Sequence, residues 1–261
     1  MAFAPDVRLD MPGMLYPRRK PVQRMKIDWT HPLTNNLVFC GLVQARALVD
    51  LVSGTRLFPT TTDPTVEVSA GVGGEGICSI TPETQVVGVS ATSISPIYLP
   101  AGLSVLSVAS VDQAHTSSSL LYELSDEVSP IFAGVSYYWE SGNGRPLLQY
   151  NQTYGYSVVD YTNTYAVNTI ANIVLTVDTD MKKDQYYNGE LVAENDADHD
   201  NDSLGYAPPT LDQLTIIDNE NANGPGYARL YMLAIYDIPL SSDISQSLTL
   251  DPYQFLIPDR G

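Results

Sequence analysis

The feature that most constrains this chain lies near its end. Residues 227–238 read Tyr-Ala-Arg-Leu-Tyr-Met-Leu-Ala-Ile-Tyr-Asp-Ile and stop at Pro239. That is the pattern of a long buried strand, apolar and aromatic, closed by a residue that cannot continue a ladder. Ser241 or Ser242 can then cap a short helix over 243–250, because a serine side chain can accept from the first free helical N–H groups. An apolar tail, Asp251-Pro252-Tyr253-Gln254-Phe255-Leu256, follows. A strand, a proline stop, a capped helix and an apolar tail in that order belong to a chain that closes a β-structure late.

The rest of the chain supplies the strands. Short apolar runs separated by turn residues occur at 37–43, 47–52, 65–70, 77–80, 85–90, 103–111, 119–124, 131–139, 146–150, 156–161, 165–177, 185–187, 190–193 and 211–217. Leu103, Val105, Ser107, Ala109 and Val111 share one face at a period of two. Asn188-Gly189 sits between two such runs, and a two-residue turn that needs positive φ at both positions makes this a hairpin. The spacing predicts an all-β fold, an antiparallel β-sandwich of jelly-roll type with one short C-terminal helix. At 261 residues the chain can bury a large core, and sandwiches reach this length as one unit.

Residues 1–31 differ from this body. Pro5, Pro12, Pro17 and Pro21 exclude a continuous helix or a central strand, so an extended arm is expected. The arm carries Arg8, Arg18, Arg19, Lys20, Arg24 and Lys26 against Asp6, Asp10 and Asp28. The whole chain has a net charge of −17, so a basic arm precedes an acidic body over 32–261. Such a surface repels nucleic acid. No apolar stretch is long enough to span a membrane as a helix, and no secretory signal is expected from the proline-broken N-terminus. The two cysteines, Cys40 and Cys78, fall in strand-like runs and read as buried thiols, with one disulfide as the alternative.

Three elements carry a resemblance. His31-Pro32-Leu33 leads into Asn36-Leu37-Val38, with Asp50-Leu51-Val52-Ser53-Gly54 after it; Val174-Leu175-Thr176-Val177-Asp178 precedes the Tyr186-Tyr187-Asn188-Gly189 hairpin; and the C-terminal strand, helix and tail complete the order. Together they resemble the concanavalin A-like, laminin-G-like jelly rolls encoded by tailed bacteriophages. The resemblance implies a virion structural protein, most directly a capsid decoration or cement protein, with a tail or fibre accessory protein next. It implies the virion surface as its place, after assembly in the host cytoplasm. Its partners would be a major capsid protein or another virion protein, and its own copies in a trimer or other symmetric assembly. The six arm cations would be the anchoring charges. A carbohydrate-binding adhesion module for cell-surface glycans is the rival that the same family implies.

Two clusters bear on that rivalry. Tyr137, Tyr138, Trp139, Tyr154 and Tyr156 concentrate flat aromatic faces that suit a sugar or a protein interface, or a sandwich core. Asp196, Asp198, Asp200 and Asp202 alternate in an acidic run that could supply oxygen ligands to Ca²⁺, or be a solvated loop. No other cofactor is indicated. Catalysis is not expected. Glu123-Leu124-Ser125-Asp126-Glu127 lacks the alternation that would aim two carboxylates at one bond, and no nucleophile elbow, phosphate loop or zinc-protease motif is present.

Overall fold

The computed structural model describes residues 20–58, 66–79, 92–98, 101–112, 118–125, 134–140, 143–151, 155–158, 166–180, 182–195, 210–216 and 228–259. Its first strands are β1 (Met25–Ile27), β2 (Leu37–Gln44), β3 (Ala47–Asp50), β4 (Arg56–Phe58), β5 (Val66–Gly71) and β6 (Gly74–Ser79). Next come β7 (Thr92–Tyr98), β8 (Leu103–Val111), β9 (Ser118–Ser125), β10 (Gly134–Glu140), β11 (Asn143–Asn151) and β12 (Gly155–Val158). The chain ends with β13 (Ile170–Val177), β14 (Lys183–Tyr187), β15 (Glu190–Asn195), β16 (Thr210–Ile216), β17 (Ala228–Tyr236), helix α1 (Ser242–Leu250) and β18 (Leu256–Pro258). All of the strand pairs are antiparallel. The expected class, an antiparallel β-sandwich with one short helix near its C-terminus, is what the chain forms.

One sheet has ten strands in the path β15-β14-β13-β8-β17-β2-β3-β4, with the β5–β6 hairpin joined to β17. The other has six, β12-β11-β10-β9-β16-β7. The sheets face each other across a core of Leu103, Val105 and Ala109 on β8, Leu233 and Ile235 on β17, and Leu124, Val135, Tyr137 and Leu214 opposite. The far face of the ten-stranded sheet is also dry. There Leu106 and Val108 of β8 and Met232, Ala234 and Tyr236 of β17 pack under Leu248, Tyr253, Phe255 and Met25. Every residue of β8 and of β17 is therefore buried, on both parities. A strand covered on both faces needs apolar or hydrogen-bonded side chains throughout, which is why 227–238 reads as it does.

The cover over that far face is made from both ends of the described chain. β1 pairs with β18, and Arg24 and Lys26 reach Asp259 at 3.4 and 3.9 Å. Met25 and Ile27 turn inward. Within residues 20–31, Lys20, Met25 and Ile27 are buried, whereas Val22 is exposed. The helix is tied down by Thr249, whose hydroxyl accepts from Gly189 N at 2.9 Å and whose carbonyl accepts from Asn172 Nδ2 at 2.9 Å. The hairpin at Asn188-Gly189 has φ of 48° and 97°, and a Cβ on Gly189 would lie 2.6 Å from Leu250. Glycine is thus required there by conformation and by the helix behind it.

Asp50 organises the first turn. Its carboxylate accepts from the N–H groups of Cys40, Val52 and Ser53 and from the Ser53 hydroxyl, so the Asp-Leu-Val-Ser-Gly segment folds around one side chain. On the other side of the sheet's centre, Arg229 clamps the β5–β6 hairpin. It pairs with Asp112 at 2.6 Å and donates to the carbonyl and hydroxyl of Ser69 at 2.9 and 2.7 Å. The expected strand at 85–90 lies outside the described residues.

Candidate functional site

The six-stranded sheet turns one face to the core, and on its other parity Glu123 is half-buried while Ser125 and Gln213, paired across β9 and β16, are buried. β9 shows the division: Tyr122 and Leu124 point to the core, and Glu123 between them is half-buried on the outside. The register carries that parity across the sheet. Glu123 stands opposite Ser136 on β10 and Thr215 on β16. Val135 is buried and pairs with Leu148, which pairs with Ser157; Gln149 pairs with Tyr156, and Tyr138 pairs with Arg145. At the far edge Tyr98 is 54% exposed and pairs with Thr210.

The aromatic cluster thus divides. Tyr137 is a core residue. Its ring stacks on Tyr122 with centroids 5.9 Å apart and planes at 23°, and its hydroxyl accepts from Gln185 Nε2 at 2.7 Å across the sheets. It is buried in the core. Tyr138 and Tyr156 lie on β10 and β12, and Tyr154 lies outside the described residues. Tyr98, distant in sequence from the cluster, is exposed at the sheet's edge; its signal was the alternation of Ile97 and Tyr98 at the end of a strand rather than aromatic density.

The arm cations also divide. Lys20 is buried and donates to the carbonyl of Glu75 at 2.6 Å, and burial pulls its ammonium down to about 8. Arg24 and Lys26 are exposed beside Asp259. Arg8, Arg18 and Arg19 lie outside the described residues. Two further cations stand at the same end of the molecule: Arg46 in the β2–β3 turn and Arg56 on β4, both exposed.

The positions flanking Glu123 are hydroxyl residues, so no second carboxylate meets it across the strands. No group of three His, Cys, Asp or Glu side chains comes together. Asp196, Asp198, Asp200 and Asp202 lie outside the described residues, so the calcium reading is carried by sequence alone. His31 is a cap, its Nδ1 accepting from Leu33 N at 3.2 Å. Cys40 and Cys78 are buried free thiols, and burial beside Asp50 pushes the Cys40 thiol up. No described helix is long and apolar enough to cross a membrane.

No family model matches the chain, and no curated protein matches it in sequence. Solved structures do share its fold. The binding domain of Paraclostridial Mosquitocidal Protein 1 superposes with a TM-score of 0.60 at 16% identity, over 83% of this chain and 52% of that one. The receptor-binding domain of a botulinum neurotoxin C/D mosaic serotype gives 0.53 at 15%, over 83% and 51%. Trypanosoma rangeli sialidase gives 0.54 at 16%, over 84% of this chain and 33% of the enzyme. The chain spans about half of the two binding domains and a third of the sialidase. At these identities the likeness is one of fold, and it transfers neither an activity nor a ligand.

Proposed function

We propose that this chain is a non-catalytic binding module that recognises carbohydrate on the outer face of its six-stranded sheet. One observation carries the reading: the central strands of the ten-stranded sheet are buried on both faces by the chain itself, whereas the edge strand β7 of the six-stranded sheet presents Tyr98 with 54% of its surface exposed. Tyr98 is exposed at that edge, Tyr138 and Tyr156 lie on strands of the same sheet, and flat rings stack on sugar faces while their hydroxyls remain hydrated. The fold supports this use, since two of the similar structures are themselves binding domains. A glycan array probed with the full chain, with and without chelator, tests it. Binding that falls in the Tyr98→Ala and Tyr138→Ala variants is expected. Silence in both conditions removes the reading, and loss with chelator alone would bring in Ca²⁺ at Asp196, Asp198, Asp200 and Asp202.

A virion structural role, as a capsid decoration protein or a tail or fibre component, is the second reading. It is favoured by the basic end on an acidic body: Arg24, Lys26, Arg46 and Arg56 are exposed there. Arg8, Arg18 and Arg19 precede it in sequence and would add anchoring charge toward a major capsid protein. Removing residues 2–19 should then abolish association with particles and leave the fold intact. Full association of the truncated chain would end this reading.

A further inference from the structure

Opposite charges occupy the two edges of the ten-stranded sheet. At one end stand Arg24, Lys26, Arg46 and Arg56. β1 is held there because Met25 N donates to Gln44 Oε1 at 2.9 Å, and Gln44 is the last residue before the Ala45-Arg46 turn. Arg56 pairs with Val49, which pairs with Leu42. Two strand spacings and two residue steps therefore separate Gln44 from Arg56, about 12 Å. Asp259 is the carboxylate that meets Arg24 and Lys26. Arg46 and Arg56 have no acidic partner among the described residues.

The turn itself is costly. Ala45 and Arg46 have φ of 51° and 58°, both left-handed, and neither is glycine. Each L-residue there costs roughly 1 kcal/mol, which the Asn-Gly sequence used at residues 188 and 189 would reduce. Local geometry alone does not favour an arginine at this tip.

At the other edge β15 carries Glu190 and Glu194, both exposed and without a cationic partner among the described residues. Glu194 stands opposite Asp184 on β14. β4 and β15 are the outermost strands of the path, each with a neighbour on one side only among the described residues. Seven strand spacings lie between them, roughly 30 Å. The described edge charges cannot neutralise each other within one molecule at that distance, nearly four Debye lengths (about 8 Å each) at physiological salt.

The geometry points to head-to-tail self-association, in which the acidic β14–β15 edge of a second copy docks against the basic end formed by β1, the β2–β3 turn and β4. Arginine forks fit carboxylates in paired hydrogen bonds. Two open strand edges can also continue the backbone ladder between copies. Because different surfaces meet, the contact closes into a ring or runs on as a filament. The net charge of −17 opposes the approach of copies. Screening at about 0.15 M salt shortens that repulsion to roughly 8 Å and leaves contact pairs in force, whereas about 1 M salt weakens the pairs as well. The inference rests neither on the carbohydrate reading nor on a virion setting.

Sedimentation of the full chain over a concentration series tests it. Association at about 0.15 M salt that is lost at about 1 M is expected. The Arg46→Glu/Arg56→Glu variant and the Glu190→Arg/Glu194→Arg variant should each weaken association at least about tenfold, a change of about 1.4 kcal/mol, and an equimolar mixture of the two should recover it. These positions are exposed, and an unchanged melting temperature verifies folding of each variant. A chain that stays monomeric at both salts, association that survives either reversal, or a mixture that fails to recover would each overturn the inference.

Discussion

β17 and β9 lie in different layers and are buried differently. β17 hides every residue, on the core parity and on the parity under the helix, whereas β9, although it buries Leu121, Tyr122, Leu124 and Ser125, leaves Glu123 half-exposed among them. The cover that makes the difference comes from the chain's own terminal segments, with β1 paired to β18 and α1 laid across β13 and β14. A face that the chain closes for itself contributes to stability. A side chain left in water, as Tyr98 is at the edge of the six-stranded sheet, contributes less to stability and has to tolerate solvent.

The sharpest way to break this comparison is to remove the cover. Phe255 is fully buried under α1 and β1. Phe255→Ala should cost about 3–5 kcal/mol, because the lost apolar burial is joined by the cavity it leaves. Denaturant midpoints measure it, and a loss below about 1 kcal/mol would show that the C-terminal cover is not part of the folded unit. The next largest effect is expected at Arg229. Arg229→Leu removes the ion pair with Asp112 and both bonds to Ser69, and should cost about 2–3 kcal/mol. Asp112 retains some access to water, which moderates the penalty for leaving its charge behind. Faster proteolysis within 66–79 should accompany the loss, since Arg229 fastens that hairpin to β17.

Much of the framework was legible because it is local. The Asn188-Gly189 turn, the period-two face from Leu103 to Val111, the final long strand and the helix after Pro239 all declare themselves within a few residues. What stayed hidden depends on contacts distant in sequence. Met25-Lys26-Ile27 alternates like a strand, yet its partner is Leu256-Ile257-Pro258 at the far end, so the segment reads as arm until the pairing is seen. The tyrosine run shows the same limit: density marks aromatic side chains, but only the three-dimensional packing shows that Tyr137 is core, stacked on Tyr122. Arg46 and Arg56 belong to no charge run and become one surface through the β2–β3–β4 meander.

A pH experiment sharpens the account of the interior. Lys183 is fully buried on the core parity of β14, and burial pulls its ammonium down to about 8. An unfolded lysine titrates near 10.4, so between about pH 8 and 10 the unfolded chain binds more protons than the folded one. Stability from this group therefore rises with pH across that window, as the buried charge is shed. Compared with Lys183→Met, the wild-type chain should gain a few degrees in melting temperature between pH 7 and 9.5. Keeping below pH 10 avoids ionising tyrosines in the unfolded state, which would act in the opposite direction. A difference between the two proteins that does not move with pH would mean that Lys183 stays charged in the fold.

The smallest expected change in stability is at Tyr98, and it bears most directly on the exposed edge. With 54% of its surface in water, Tyr98→Ala should alter stability by no more than about 0.5 kcal/mol. A sugar stacked on the ring would nevertheless feel the loss, because the ring supplies contact area that alanine cannot. The expected outcome is a melting curve superimposable on the parent and a glycan signal reduced several-fold. Tyr98→Phe separates the two contributions of the side chain: it keeps the face and removes the hydroxyl, so binding that survives in Phe and fails in Ala belongs to stacking. If Tyr98→Ala were as destabilising as an interior substitution, the six-stranded sheet would be covered there as well. The contrast between a buried interior and an exposed edge would then have to be abandoned.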